Sequence, residues 1–341
     1  MEGNRRKRTR YKKRKSKKKL IIFSTLLVLL LVVISVGVYG FNMLGKLNRT
    51  KISDTDEDLG ISSDIKQKIG SHKNSDEIVN IALFGLDQRD VKANGRSDSI
   101  MVLSLDKARK KIKLFSIMRD SYVHIDGRGE DKITHAYYFG GPQLAIKTIN
   151  ENFGLNIRDF VTVNFFGLEK IIDALGGVEI DVKPNEVEIT NSYINEVAKI
   201  EGKTPNHLSK SGKQNLTGMQ AVAYSRNRYT GNGDYERTER QRRVLNALIN
   251  KIMAMGATKY PGVVSELLPY VNTSLTNSEI ISLGLDVFKI GNLTIDQERF
   301  PVDGYCKGQY IKEIWYLVFD KEATKEQVFD YLYNDKKPTA K

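Results

Sequence analysis

Aspartate and arginine recur in this chain where an apolar run ends or begins. Asp87 closes the run Ile78 to Leu86 and is followed by Arg89. Arg96-Ser97-Asp98-Ser99 leads into Ile100 to Leu105, and Arg119-Asp120 follows Ile112 to Met118. In open α/β sheets ligands sit outside strand ends, so carboxylates and guanidiniums there are well placed for chemistry. Taken singly, each is better explained as turn chemistry, because Asp and Ser favour loop and cap positions. A second cluster resists that explanation. Ser225-Arg226-Asn227-Arg228 is followed by Gly231-Asn232-Gly233-Asp234-Tyr235-Glu236-Arg237-Thr238-Glu239-Arg240-Gln241-Arg242-Arg243. Asp234 stands where a helix N-cap belongs. The apolar stripe beyond it is Val244, Leu245, Leu248, Ile249, Ile252 and Met253, and stepping back by three or four from Leu245 reaches Gln241 and then Arg237. Both are expected to face the core at the positive end of that helix. An arginine there is costly unless it meets an anion, and a helix start favours one. Arg226 and Arg228, two apart, add further forks for phosphate. A solvated basic face accounts for Arg240, Arg242 and Arg243. Carboxylates and arginines in this combination suggest a phosphate diester or pyrophosphate bound with a divalent metal. Asp ligands and phosphate oxygens suit Mg²⁺ (or Mn²⁺).

Other chemistries lack their signatures. There is no G-x-S-x-G, no G-x-x-x-x-G-K-[ST], no G-x-G-x-x-G and no H-E-x-x-H. The histidines at 72, 124, 135 and 207 are scattered without ligand spacing. The single cysteine, Cys306, excludes an intramolecular disulfide framework and a cysteine-rich zinc site.

The elements that must position these residues follow from hydrophobic pattern. Ile78 to Leu86, Ile100 to Leu105 and Ile112 to Met118 read as buried strands, the last two joined by a charged, hairpin-like connection. A helix over Pro142 to Phe153, a strand Phe160 to Asn164, a helix Gly167 to Leu175 and a strand Val178 to Val182 follow. Lys183 to Asn215 is polar and suits an irregular surface excursion; helices resume at Thr217 to Ser225 and Asp234 to Met255. Mixed strands and helices without a second linker predict one α/β domain over 77–335, with a central mixed β-sheet flanked by helices on both faces. A short tail, 336–341, follows it.

Charge and hydropathy place that domain. Of 54 Lys and Arg, 12 lie in the first twenty residues with one acid, Glu2. The rest of the chain carries 42 basic against 40 acidic residues, a net of +2. A nucleic-acid binder needs positive charge on its folded domain, so no nucleic-acid partner is expected. Leu20 to Leu44 contains no charged residue. Leu20 to Gly40 alone would make a helix of roughly 31 Å, enough to cross a hydrocarbon core of about 30 Å. The run exceeds a signal-peptide core and no small-residue cleavage site follows it. The reading is therefore a basic cytoplasmic tail (1–19), one transmembrane helix (20–44), a polar extracellular stalk (45–76) and an external domain. The tail is also attracted to anionic membrane lipids. An exported domain with one cysteine suggests a Gram-positive-type envelope.

The motifs in order resemble the LytR-CpsA-Psr family of envelope phosphotransferases. They are Asn80 to Leu86 with Asp87-Gln88-Arg89, then Gly95-Arg96-Ser97-Asp98-Ser99, then Ser116-Ile117-Met118-Arg119-Asp120. Lys132 to Tyr137 before Gly140-Gly141, Asp173 to Val178, Leu216-Thr217-Gly218 with Ala221 to Arg228, and Asp234 to Arg237 with Arg240-Gln241 complete the set. Met118 stands where the family usually has proline. The resemblance implies transfer of a glycopolymer, such as wall teichoic acid or capsule, from a polyprenyl-pyrophosphate carrier to peptidoglycan. It implies Mg²⁺ on Asp87 and Asp98, with Arg119, Arg226, Arg228, Arg237 and Gln241 on the pyrophosphate and Arg96 as a helper. Asp87, Asp98 and Arg119 would be the catalytic residues, and the prenyl tail would occupy an apolar groove between sheet and helices. A non-catalytic carrier- or polymer-binding protein would keep the arginines without needing either aspartate. Hydrolysis of the pyrophosphate is a plausible side reaction.

Overall fold

The three apolar runs become adjacent strands because their alternate residues can be buried on opposite sides of one sheet. The structure, a computed structural model, describes residues 45, 47–87, 95–254, 268–290 and 294–341. The expected cytoplasmic tail and transmembrane helix, together with Gln88 and Arg89, lie outside the described residues. No helix among the described residues is long and apolar enough to cross a membrane.

In chain order the elements are β1 (Asn48–Arg49), α1 (Ser63–Gly70), β2 (Ile78–Asp87), β3 (Arg96–Asp106), β4 (Lys111–Ile117), β5 (Tyr122–Ile125) and β6 (Gly129–Lys132). Next come α2 (Thr134–Phe153), β7 (Asp159–Asn164), α3 (Phe165–Ala174), β8 (Val178–Val182), α4 (Val187–Glu201) and β9 (Gly212–Leu216). Then follow α5 (Gly218–Arg226), α6 (Asp234–Ala254), β10 (Val271–Thr273), α7 (Asn277–Ile290), β11 (Ile295–Phe300), β12 (Cys306–Ile311), β13 (Ile314–Phe319) and α8 (Lys321–Tyr333). The main sheet has seven strands in the order β1-β10-β7-β2-β3-β4-β11. It is mixed: β2 runs antiparallel to β3 and β3 to β4, whereas β2–β7 and β4–β11 are parallel.

Both faces are covered. Ala82, Phe84, Ile100, Val102, Phe115 and Ile117 pack on one side against Ile146, Ile149 and Phe153 of α2 and Val328 and Tyr331 of α8. Leu83, Met101, Leu103 and Leu114 face the other way, toward Leu245 and Ile249 of α6 and Leu283 and Val287 of α7. A third apolar cluster joins α3, α4, α5 and the start of the α6 stripe around β8.

Three segments differ from the sequence reading. The stretch expected as a stalk belongs to the domain from Leu47 onward. Leu59, Ile61 and Ile69 are buried in the α2–α8 core, and the Leu59 carbonyl accepts from Asn150 Nδ2 at 2.8 Å. So few apolar residues, each answered by a partner far along the chain, make no periodic stripe. Within 183–215, expected to be irregular, α4 buries Ile194, Val197 and Ala198 on its apolar side. Helix α2 begins eight residues before Pro142, and a kink at Gly140-Gly141, where Gly141 has φ 61°, admits the proline.

Candidate active site

The site is built first by an irregularity in the β2–β3 pairing. Gly85 pairs with Ser99, but Leu86 pairs with Ser97, which makes Asp98 the extra residue of a β-bulge. Strict alternation would send Asp98 to the α2 face with Ile100 and Val102. Instead Ser97 turns to that face, exchanging hydrogen bonds with Thr134: Oγ to the Thr134 carbonyl at 3.4 Å, and Thr134 Oγ1 to the Ser97 carbonyl at 2.9 Å. Asp98 and Ser99 both fall on the α6 side. Asp87, two residues beyond Gly85 on an unbroken strand, reaches the same side.

Opposite them stands the start of α6. Arg237 is only 4% exposed. Its Nη2 donates to the Asp98 backbone carbonyl at 3.4 Å, while its buried Nε makes no hydrogen bond and sits 3.5 Å from Asp234 Oδ1. Burial, reinforced by neighbouring Arg119, pushes the Arg237 pKa below the usual guanidinium value. Arg119 occupies the turn after β4. It donates to Asp98 Oδ1 at 3.0 Å from Nη1 and to Asp234 Oδ2 at 3.1 Å from Nε. Burial disfavours its charge too, but Asp98, Asp234 and Asp120 outweigh that and raise its pKa. Asp234 is opposed by burial and favoured by Arg237 and Arg119, and the two arginines win, holding its carboxyl below the ordinary range. The turn is fixed from behind by the Met118 N–H, which donates to the Phe300 carbonyl at 3.1 Å. A proline at 118 could not make that bond.

Arg226, at the end of α5, lies between two aromatic rings, 5.3 Å from the Phe165 centroid and 5.7 Å from that of Tyr193. Its Nη2 donates to Glu196 Oε1 at 2.9 Å. Arg228 is exposed and donates to the Tyr229 hydroxyl at 2.9 Å. These groups surround a polar cavity of about 250 Å³ lined by Asp87, Asp98, Arg119, Arg226, Arg228, Arg237 and Gln241, with Phe165, Tyr193, Glu196 and Tyr229. Beside it lies an apolar cavity of about 160 Å³ between sheet and helices, walled by Leu83, Met101, Val163, Leu168, Val244 and Leu248. Phe165 and Gln241 line both. The pair forms an amphiphile-shaped space, with cations at one end and hydrocarbon at the other.

Of the eight residues assigned to metal, pyrophosphate or catalysis from the sequence, all among the described residues, only Arg96 does not line the polar cavity: it pairs with Asp87 across the strands and is exposed. The expected solvated face of α6 is also corrected. Arg240 is 0% exposed, donating to Glu186 Oε1 at 2.8 Å and to the carbonyls of Asn227 at 2.7 Å and Thr230 at 3.1 Å. It ties the loop that carries Arg228 to the chain before α4. Arg242 is buried as well, its Nη1 donating to Ser116 Oγ at 2.8 Å, and burial pushes its pKa down to about 10. Arg243 is half-buried and bonds Tyr224 and Glu239. Glu236–Arg240 and Glu239–Arg243 are i,i+4 pairs, a spacing that hinted at ion pairing but not at burial. Asp234 was expected as a cap; it opens α6 and its carboxylate serves the arginines. Phe165, Tyr193 and Tyr229 carried no signal that linked them to the site.

Known proteins share this architecture. The LytR_cpsA_psr family model matches residues 41–330. A polyisoprenyl-teichoic acid–peptidoglycan teichoic acid transferase TagU of Bacillus anthracis is 32% identical over 303 residues, 88% of this chain and 92% of the relative. Among solved structures, TagT bound to LI-WTA superposes with a TM-score of 0.59 at 26% identity, covering 76% of this chain and 92% of that one. The LytR-CPS2A-psr family protein YwtF (TagT) with bound octaprenyl pyrophosphate lipid gives 0.56 at 25% identity, covering 76% and 90%. With its motifs, its mixed sheet and a family match over most of its length, this chain belongs to the LytR-CpsA-Psr family.

Proposed function

We propose that the protein is a membrane-anchored phosphotransferase that moves an anionic glycopolymer from a polyprenyl-pyrophosphate carrier to peptidoglycan. The observation that carries this reading is the junction of the two cavities at Phe165 and Gln241. A pyrophosphate suits the four-arginine end and a prenyl chain suits the apolar end, and a polyprenyl pyrophosphate joins the two in one molecule. The TagU name and the lipid bound to TagT support the same substrate class.

Arg237 has the clearest role. Its buried guanidinium has an Nε without a hydrogen bond, only long contacts with Asp234 and the Asp98 carbonyl, and a like charge beside it, so a phosphate would satisfy it better than the protein does. Arg119 and Arg226 already have protein partners that hold them in place, so they meet the phosphates pre-oriented. In the reaction an acceptor sugar hydroxyl attacks the phosphorus that bears the polymer, and its proton passes to solvent or to the departing polyprenyl phosphate. The phosphoanhydride bond breaks and polyprenyl phosphate leaves. Negative charge then builds on phosphoryl oxygens facing the arginines, which stabilise the transition state more than the ground state.

Asp87 and Asp98 suit a hard divalent cation, since both are oxygen donors on the wall of the phosphate cavity. Among the described residues no group of three or more His, Cys, Asp and Glu is preassembled for a metal. Asp87 and Asp98 are the residues that would hold Mg²⁺ (or Mn²⁺). Held there, the ion would supply positive charge against the phosphates. The test is transfer of polymer to peptidoglycan with Asp87→Ala and Asp98→Ala, each checked for folding. Both should abolish transfer, as should EDTA. Undiminished transfer in EDTA would remove the metal, and carrier binding by the unsubstituted chain without any transfer would favour a carrier-binding protein.

A further inference from the structure

The polar cavity has an aromatic rim that anion binding does not require. Tyr193 of α4 and Tyr229 of the loop after α5 both line it, with rings nearly parallel at 15° and centroids 6.3 Å apart. Arg226 lies 5.7 Å from the Tyr193 ring and Arg228 lies 5.0 Å from the Tyr229 ring. The Tyr229 hydroxyl accepts a hydrogen bond from Arg228 at 2.9 Å. Nevertheless Tyr229 is 68% exposed. A large ring that is tethered but left in water at the edge of a ligand cavity offers its face to something outside the protein.

Direction decides what that is. The apolar cavity is reached past Phe165 and Gln241, and neither tyrosine lines it. A carrier pyrophosphate in the polar cavity sends its prenyl chain that way, and its other substituent leaves by the open rim, past the tyrosines. The flat C–H face of a pyranose stacks on an aromatic ring, while its hydroxyls can reach the Arg228 guanidinium beside it. We propose that Tyr229, backed by Tyr193, is the stacking platform for the first sugar attached to the pyrophosphate. This rests on the reading that the cavity holds a polyprenyl pyrophosphate.

The experiment compares two probes on the full chain in detergent: polyprenyl pyrophosphate, and the same lipid bearing one hexopyranose on its terminal phosphate. The unsubstituted chain should bind the glycosylated lipid more tightly. Tyr229→Leu removes the aromatic face and should weaken the glycosylated lipid about fivefold, with the bare lipid within about twofold. Tyr229→Phe loses the hydroxyl but keeps the face, and should hold the glycosylated lipid within about twofold of the unsubstituted chain. Equal weakening of both lipids by Tyr229→Leu would overturn the platform and leave the ring as a prop for Arg228. Tyr229→Phe behaving like Tyr229→Leu would overturn it in favour of the hydroxyl. If the unsubstituted chain bound neither lipid, the carrier reading would fall, and the platform with it.

Discussion

Arg237 and Arg240 lie one helical turn apart on α6, are both buried, and should respond to truncation in opposite ways. Arg240 donates to Glu186, Glu236 and two carbonyls, and Glu186 is itself fully buried. Arg240→Ala leaves that carboxylate without its main partner, a change that costs about 3–5 kcal/mol. For a domain of this size that lowers the melting temperature by roughly 6–15 °C. Arg237 has an Nε without a hydrogen bond, a contact with Asp234 at 3.5 Å, a long bond from Nη2 to the Asp98 carbonyl at 3.4 Å and a repelling neighbour in Arg119. Its removal breaks two long contacts and relieves a buried charge and its repulsion with Arg119. Asp234 keeps its bond from Arg119, and the vacated space opens on the polar cavity, where water can fill it. Arg237→Ala should therefore change stability without ligand by no more than about 1 kcal/mol, or roughly 3 °C. Its loss should appear in binding: a desolvated charge pair with a phosphate is worth about 2–5 kcal/mol, some 30-fold or more in affinity. The assay is thermal unfolding of the apo variants beside titration with polyprenyl pyrophosphate, expressed per folded molecule. If Arg237→Ala melted as low as Arg240→Ala and still bound the lipid normally, Arg237 would be scaffold and the anion argument would be wrong.

Further outcomes follow from other parts of the site. Asp234 has a folded pKa held below its ordinary value of 3.8, so its stabilising effect is complete above that value and disappears as pH falls through the folded one. Acidification from pH 5 to pH 2 should thus cost the unsubstituted domain more stability than Asp234→Asn, and equal slopes in pH-dependent denaturation would contradict the pairing. Val244→Trp should fill the 160 Å³ apolar cavity and weaken a long-chain polyprenyl pyrophosphate at least tenfold, while inorganic pyrophosphate binds as before; equal losses for both ligands would argue against separate head and tail sites. Protease added to intact protoplasts should digest the domain beyond residue 44 and spare the basic tail. Protection of the domain would reverse the proposed topology.

Much of the site was legible from period alone. The 3.6-residue repeat of α6 put Arg237 and Gln241 on its inner face because an uninterrupted helix carries its phase backward from Val244 and Leu248, both buried here. The end of an apolar run placed Asp87 at the end of a strand, where β2 carries it. Where phase is broken or the partner is remote, local pattern has nothing to report. Asp98 faces the arginines only because one extra residue in β3 reverses its alternation, and that bulge exists in the register with β2 rather than in either strand. Arg240 looks like its neighbours until Glu186, 54 residues earlier, is brought against it. Leu59, Ile61 and Ile69 sat in a polar stretch read as a stalk, and only contact with the α2–α8 core shows them as buried. Tyr193 and Tyr229 meet because α4 packs beside α5, so their shared rim is a product of tertiary packing, whose contacts between distant segments no local periodicity encodes.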